Sequence, residues 1–530
     1  MNRSSRIIPY LLILLLTNIK CLYFRESDLD PNSIFSQIQF FSRLSTVSSE
    51  SQTESSPEIE PILTRSLSGY ANGTKAFFQW HPVPNASSYK LYYSKSSTVN
   101  LIDTPHAETT APWIIIDGLD TSSLYHFQLV TILSDNAKVT HSQSYPAYTN
   151  SIPFGTSGIA SAIDISASQG IDSGLYGVLN INPYTNKIYV TSQFGNSPGA
   201  RIPSLFTCNS DGTNCTYRNL TFGNSGSGDV VRPHSAIDFQ NNKIIYVGGN
   251  SGDIFQPVMF ICGLDSDNCS YQDISAGQGN QSGQIPFVTI NPLNGELLTL
   301  TRNQSVTLGS LSLFKCLETG SECIHTELST GDAYLSTFER GSALVSPFND
   351  KLYTVISGYG STRSTMYISD TNGLNSTLID IGNNAPSPPN SSESPSLLID
   401  YINSKLVIVT KGFNNRIGIM NCDLDGSNCT YIDIGINSQG FQPSAIIDMI
   451  NEKILIFSTD SSASNVLTFF RCELNGTGCT SSFNISASAG LGIESGYRPS
   501  ALIDPVSGKI LISTQNFGNT PASIPYLFIF

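Results

Sequence analysis

The chain has 530 residues, with 27 lysines and arginines against 41 aspartates and glutamates, for a net charge of −14. Only 13% of residues are charged and 10% aromatic, while glycine (42) and proline (27) are frequent, which points to an all-β protein and excludes a multi-span membrane protein and a collagen-like fibre. The acidic balance argues against binding a nucleic-acid backbone, and the length predicts two to four domains, or one domain plus a repeat array.

Residues 1–20 read as an export signal: Arg3 and Arg6 precede an apolar run from Ile7 to Leu16 that is too short to span a membrane. Cys21 follows directly. A cysteine at this place is similar to the lipid-bearing first residue of a bacterial lipoprotein, although Asn18, Ile19 and Lys20 replace the usual small residues. Lipidation of Cys21 is expected, with the membrane reached through that anchor only. Residues 21–64 read as a tether. Ser45 to Glu60 has too few apolar residues for a core, and Ser33 to Leu44 has the pattern of a short helix.

Residues 65–150 carry Trp80 before a proline-rich turn, an alternating strand with Tyr89, Leu91 and Tyr93, and Leu119 six residues before Tyr125. This pattern resembles a fibronectin type III domain. The resemblance implies a seven-stranded sandwich, used as a spacer or interaction module, with Trp80 and Tyr125 in its core.

From residue 158 to 530 the chain repeats. Seven copies of a first apolar strand begin near 178, 235, 287, 343, 397, 445 and 501, each followed by a second strand such as KIYVTS or KILIST. Cysteines, or a serine in their place, recur in the third strands at 208, 262, 316, 369, 422 and 472. Four-stranded units at such a period resemble the blades of a β-propeller, here with seven blades. The last copy stops after its third strand, at SIPYLFIF. The missing fourth strand is expected from residues 159–170, so that an N-terminal strand closes the ring.

Ten of the eleven cysteines form five pairs with six residues between members: Cys208 with Cys215, Cys262 with Cys269, Cys316 with Cys323, Cys422 with Cys429, and Cys472 with Cys479. Intervening turns such as NSDGTN and DLDGSN predict hairpins joining the third and fourth strands, which bring each pair within disulfide reach, at about 5.5 Å between Cα atoms if the positions are hydrogen-bonded, or differently if the turn is bulged. Ser369 and Ser376 replace the pair in the fourth copy. Disulfides imply an oxidising compartment, and Cys21 is the odd cysteine that a lipid anchor would leave.

Signals for catalysis are weak. GNSPG at 195–199 fits G-x-S-x-G, but Pro198 lacks the N–H that an oxyanion site needs, so a plain loop is expected. Glu322 and His325 stand three apart in a predicted strand and face opposite ways. No metal, cofactor or catalytic residue is assigned. Asp238, Asp400, Asp448 and Asp504 recur at the ends of first strands, where they are expected to bond their own turns. The Asn-x-Ser/Thr sites at Asn214, Asn268 and Asn428 lie directly before paired cysteines.

One constellation stands out. Residues just before each first strand should converge at the mouth of the central channel: Tyr176, Arg232, His234, Gln284, Arg340, Glu393, Gln442 and Arg498. Arginine binds carboxylates in bidentate fashion, so this set is the candidate ligand site. The overall layout is similar to that of exported spirochaete-type lipoproteins. It implies a monomeric, non-enzymatic protein of the cell envelope or surface, on the outer membrane or secreted, that binds an extracellular protein or glycan and no nucleic acid. Loops at Gln193–Pro203 and Gln515–Pro525 are further candidate contacts. The alternatives are a propeller glycan hydrolase or lyase acting at the channel mouth, and a structural envelope component.

Overall fold

A computed structural model describes residues 67–530 except 141–142, 151–159, 170–172, 196–200, 222–228, 240, 251–254, 266–267, 279–280, 304–309, 331–337, 359–363, 382–393, 413–415, 435–439, 481–482 and 517–523. The expected signal, Cys21, tether and short helix therefore lie outside the described residues, as do most of GNSPG, Glu393 and parts of both candidate loops.

Seven antiparallel four-stranded sheets follow one another along the chain. Their inner strands are Leu175–Asn182, Val230–Asp238, Gln284–Ile290, Phe338–Val345, Ser396–Asp400, Gly440–Asp448 and Tyr497–Asp504, in blades 1 to 7. Each second strand is a nearly unbroken apolar run. Ile188 to Ser192 in KIYVTSQF are all buried, because blades pack against it on both faces and no alternation survives. Outer strands such as Thr216–Asn219 are short and mostly half-exposed, which blunts the sheet edges.

The seventh blade is built from both ends of the propeller. Tyr497–Asp504, Lys509–Asn516 and Ile524–Ile529 are completed by Ser161–Asp164, with Tyr526 opposite Asp164 and Ile529 opposite Ser161. The expected ring closure is present, and the fold is an all-β, seven-bladed propeller.

All five expected cysteine pairs are bonded. Cys208 is joined to Cys215 in blade 1, Cys262 to Cys269 in blade 2, and Cys316 to Cys323 in blade 3. Cys422 is joined to Cys429 in blade 5, and Cys472 to Cys479 in blade 6. One expected distance is corrected. The Cα atoms of Cys215, Cys269, Cys323, Cys429 and Cys479 lie only 4.0–4.1 Å from those of their partners, closer than the hydrogen-bonded pairing would place them.

In four of the five blades the turn carries a left-handed residue just before the second cysteine. In blade 1 the Gly212 N–H donates to the Asn209 carbonyl and the Asn209 N–H to the Thr213 carbonyl, each at 2.9 Å. Asn214 then takes a left-handed φ of 52° and bulges the strand just before Cys215. Glu322 before Cys323, Asn428 before Cys429 and Gly478 before Cys479 are also at positive φ, as is Asn375 before Ser376. Asparagine tolerates this conformation better than most residues, which gives Asn214 and Asn428 a conformational reason to precede the cysteine. Blade 2 departs from this: Cys269 lies directly opposite Cys262 in the ladder.

Inner strands end in turns tied by their own acidic residues. Oδ1 of Asp400 accepts from the N–H groups of Ile402 and Asn403 at 3.0 Å, and Asp448 holds Ile450 and Asn451 in the same way. Asp238 and Asp504 do likewise, as expected.

Residues 68–148 form a two-sheet sandwich. One sheet joins Ser68–Asn72, Lys75–Gln79 and Trp113–Ile116; the other joins Ala107–Thr109, Ala86–Ser94, Leu124–Leu133, Lys138–Thr140 and Tyr145–Tyr148. Eight strands replace the expected seven, since the long strand Leu124–Leu133 pairs with two short ones along a single edge. Trp80 (2% exposed) and Tyr125 (5%) sit in the core, and the Tyr125 hydroxyl accepts from the Asp120 N–H at 3.0 Å.

The sandwich is docked onto the propeller rather than spaced from it. It covers the face where the inner strands end. Tyr70 and Phe77 pack with Met449, Leu455 and Ile510 of blades 6 and 7. The Tyr70 hydroxyl donates to Asp448 at 2.9 Å, the Tyr148 N–H to the Pro505 carbonyl at 2.9 Å, and Asn150 Nδ2 to the Gly508 carbonyl at 3.2 Å. His81 Nε2 lies 2.6 Å from Asp350 Oδ1.

Two expectations follow. The double change Ser369→Cys with Ser376→Cys should form a sixth disulfide, read as a loss of two hydrogens in mass, and should raise unfolding stability by about 2–3 kcal/mol. Free thiols in that variant would contradict the blade-4 register. Separately, burial holds His81 below its usual 6.5 despite the nearby Asp350 carboxylate. The unfolded chain therefore binds that proton more readily, so stability should rise with pH through the window just below 6.5 and fall on acidification. Thermal unfolding against pH should give a flatter profile for His81→Gln, which keeps a donor to Asp350 but does not titrate.

Candidate functional site

Nearly every inner strand begins with a fault in its pairing. Register slips by one residue between Leu175 and Val178, Val231 and His234, Gln284 and Phe287, Phe338 and Gly341, Phe441 and Ser444, and Tyr497 and Ser500. The residue at the ring position is left-handed and usually precedes proline: Tyr176 (φ 59°), Arg232 (54°), Ile285 (51°), Ser394 (50°), Gln442 (50°) and Arg498 (49°). Proline cannot donate to the ladder, so the chain leaves the sheet here and turns these side chains toward the axis. None of the six is glycine, and each backbone carries a cost of order 1–3 kcal/mol.

These residues line one cavity of about 200 Å³ at the mouth of the channel, with His234, Phe287 and the serines at 342, 396, 444 and 500 just below. The structure thus brings Tyr176, Arg232, His234, Gln442 and Arg498 together, as expected. Two expected positions are corrected by one residue: Ile285 takes the ring place assigned to Gln284, and Ser394 that assigned to Glu393, because the proline alignment, Ile285-Pro286 and Ser394-Pro395, fixes the bulge. Arg340 holds the corresponding place in blade 4, two residues before Ser342, and its side chain lies outside the described residues.

Below the ring, blades are stitched together. Ser342, Ser396, Ser444 and Ser500 each accept, through Oγ, from a backbone N–H of the next blade: Leu397, Ala445, Ala501 and Leu179. His234 does the same with Nδ1, 3.3 Å from the Val288 nitrogen. His234 is therefore equivalent to the serines and ties blade 2 to blade 3 at the wall of the cavity.

The ring side chains have distinct states. The Arg498 guanidinium stacks on the Tyr176 ring at 3.7 Å and reaches Gln515 Oε1 at 3.5 Å, while its Nε is buried without a partner. Gln442 is buried with Oε1 unpartnered. Arg232 is exposed, and its backbone N–H donates to Gln193 Oε1 at 3.3 Å. Beside the mouth a second cavity of about 330 Å³ is lined by Tyr176, Gln193, Arg201, Arg232, Gln284 and Arg302, among others. Arg201 is held by Asp229 at 3.5 Å. Burial, and then the charge of Arg232, push Arg302 below the ordinary guanidinium range, to about 10. Among the described lining residues of the two cavities none is acidic, although the protein as a whole is.

Arg302 escaped the sequence reading, and Gln193 and Arg201 entered it only as part of a loop. Gln193, Arg302, Lys411 and Gln515 each stand six residues after Lys187, Glu296, Lys405 and Lys509, the polar residues at or just before the start of a second strand. A polar side chain thus repeats at the end of an apolar run, and that periodicity was the available signal.

Replacing Ser394 by glycine should test the cost of the ring conformation. Ser394→Gly removes a left-handed non-glycine residue and a buried unpartnered hydroxyl, so denaturant unfolding should show a gain of about 1 kcal/mol. A loss of similar size would mean that the hydroxyl holds the bulge.

No family model matches the chain, and no curated protein matches it. Solved structures similar to it include a protein of unknown function from Dyadobacter fermentans (12% identity, TM-score 0.41), covering 70% of this chain and 97% of that one. The periplasmic gluconolactonase of Pseudomonas aeruginosa is similar over 77% of this chain and 97% of its own (10% identity, TM-score 0.42). TolB from Acinetobacter baumannii is similar over 67% and 75% (12% identity, TM-score 0.34). The propeller assignment rests on the seven sheets and their closure, and these likenesses add nothing about activity.

Proposed function

We propose that this is an exported cell-envelope protein, anchored through Cys21, whose propeller binds an extracellular protein or glycan at the channel mouth without catalysing a reaction. The observation that carries this reading is the contrast between the two faces. One face is covered by the fibronectin type III-like sandwich. The other presents six strained, inward-turned side chains, two of them arginines, at the mouth of a cavity. Strain of this kind persists where the surrounding structure over-determines it, and it clusters at binding sites. The ten propeller cysteines are all consumed in disulfides, which favours an oxidising compartment and leaves Cys21 as the odd cysteine for an anchor.

A binding screen of the purified protein against extracellular-matrix proteins and glycans tests this, run beside a variant that combines Arg232→Ala, Arg340→Ala and Arg498→Ala. Binding that the variant loses by tenfold or more is the expected outcome. Binding that the variant keeps would move the site to the sandwich or the outer loops. No binding at all would count against a recognition role.

A further inference from the structure

The channel changes character along its length. The serines at 342, 396, 444 and 500 stand near the mouth, and two residues further on the same strand faces carry Leu344, Leu398, Ile446 and Leu502. Toward the sandwich the wall is therefore aliphatic in blades 4 to 7. There the structure leaves a third cavity, of about 460 Å³, between those strands and the sandwich residues Ser68, Tyr70, Phe77, Gln79 and Tyr145. Among its described lining residues none is charged. Along blades 5, 6 and 7 the lining runs from Leu397 to Tyr401, Ile446 to Met449 and Leu502 to Pro505, a depth of about 10 Å at the rise of a β-strand.

This chamber suits water poorly. An ordered internal water needs about 2–4 polar partners, and an aliphatic cavity of only roughly 150 Å³ stays dry and takes up an apolar guest. Two hydroxyls of the lining are already used: that of Tyr70 donates to Asp448, and that of Tyr145 to the Gly69 carbonyl at 3.1 Å. The remaining polar side chains gather on one side. Ser68 and Gln79 stand opposite each other in the ladder, and Gln79 lies two residues beyond Phe77, whose ring is 6.0 Å from that of Tyr401. Among the described residues the side chains of Ser68, Gln79 and Tyr401 take part in no hydrogen bond. Tyr401 keeps accessible surface although burial pushes its pKa up, the condition of a side chain that faces an internal space rather than open water.

We infer that the chamber between channel and sandwich is a lipid site, which takes one aliphatic chain of an uncharged single-chain lipid and holds its hydroxyl-bearing head at Ser68, Gln79 and Tyr401. The site lies at the end of the channel opposite the mouth, so it goes beyond the recognition reading and stands or falls separately from it. A volume of about 460 Å³ is within the range of small-molecule sites, roughly 300 to 1,000 Å³, which are mostly apolar with a few polar groups that fix orientation. The leucines and isoleucines of blades 4 to 7 gain from the chain the dispersion contacts that an empty chamber denies them. The head is uncharged because no cation lines the chamber to receive a carboxylate, and burying an unpaired charge is costly. A neutral hydroxyl head, by contrast, matches the hydroxyls and the amide that lack protein partners.

The test is titration of the full protein with straight-chain 1-alkanols from hexanol to hexadecanol, followed by calorimetry and by the rise in unfolding temperature that a bound ligand causes. The expected result is one alkanol per protein, with affinity rising about fourfold for each added methylene and levelling off once the chain outgrows the chamber. Dodecanol should bind at least tenfold more tightly than dodecanoate at neutral pH. Leu398→Phe and Leu502→Phe narrow the chamber, and each should weaken dodecanol at least tenfold and move the plateau to shorter chains. Tyr401→Phe keeps the ring and removes a head contact, so it should weaken dodecanol about 3- to 10-fold while leaving the step per methylene unchanged. Should the phenylalanine variants fail to fold, the alkanol series on the unaltered protein and on Tyr401→Phe decides the matter. No alkanol binding, or affinity that climbs with chain length without a plateau, would overturn the site. So would full binding by correctly folded Leu398→Phe and Leu502→Phe. Tighter binding of naphthalene than of dodecanol would overturn the chain assignment, and dodecanoate binding as tightly as dodecanol would overturn the uncharged head.

Discussion

Everything in this molecule depends on one strand pairing, that of Ser161–Asp164 with Ile524–Ile529. Six blades are continuous in sequence and their strands pair locally, at little cost in chain entropy. The seventh requires that residues more than 360 positions apart meet. Once they do, the array has no first or last blade, each sheet has a neighbour on both faces, and the aliphatic side chains of every second strand are buried on both sides. Without it, two sheet faces and their edges would be left to water, a condition that repeat arrays otherwise meet with polar caps.

Closure also gives the axis its meaning. Only in a closed ring do seven equivalent residues converge, and only then does a one-residue bulge before an inner strand become part of a ring of side chains. Serines and His234 just below that ring tie five of the seven blade junctions, from blade 2 to 3 and from blade 4 round to blade 1, through backbone N–H groups. The strained positions are thus held by bonds that cross blade boundaries, so the geometry of the mouth is a property of the assembled ring and of no single blade.

The sandwich supplies the asymmetry. Its docking through Tyr70, Phe77 and His81 uses the turns at the ends of the inner strands, the same turns that Asp400, Asp448 and Asp504 brace. Asp448 does both tasks: it holds its own turn and accepts the Tyr70 hydroxyl, and burial raises its pKa. Covering that face confines the channel's exposed chemistry to the face where the inner strands begin.

The repeat period, the blade count, the cysteine pairing and the closing strand were all legible in the chain, because each depends on local pattern: an apolar run, an Asp-Gly or Asn-Gly turn, a cysteine at constant spacing. The ring was legible as well, but at Gln284 and Glu393 it was misplaced by one residue, since only the bulge register shows that Ile285 and Ser394 occupy those places. In blades 1, 3, 5 and 6 a left-handed residue precedes Cys215, Cys323, Cys429 and Cys479, a feature the sequence marks only weakly. Tertiary structure alone decided that the sandwich lies against the propeller, and that Gln193, Arg232 and Arg302 share one cavity. Those contacts join residues from separate repeats or from separate domains, whose distances are set by how packed sheets are stacked around an axis. The sequence determines what each blade is; which side chains face one another across the ring is fixed only when the ring is closed.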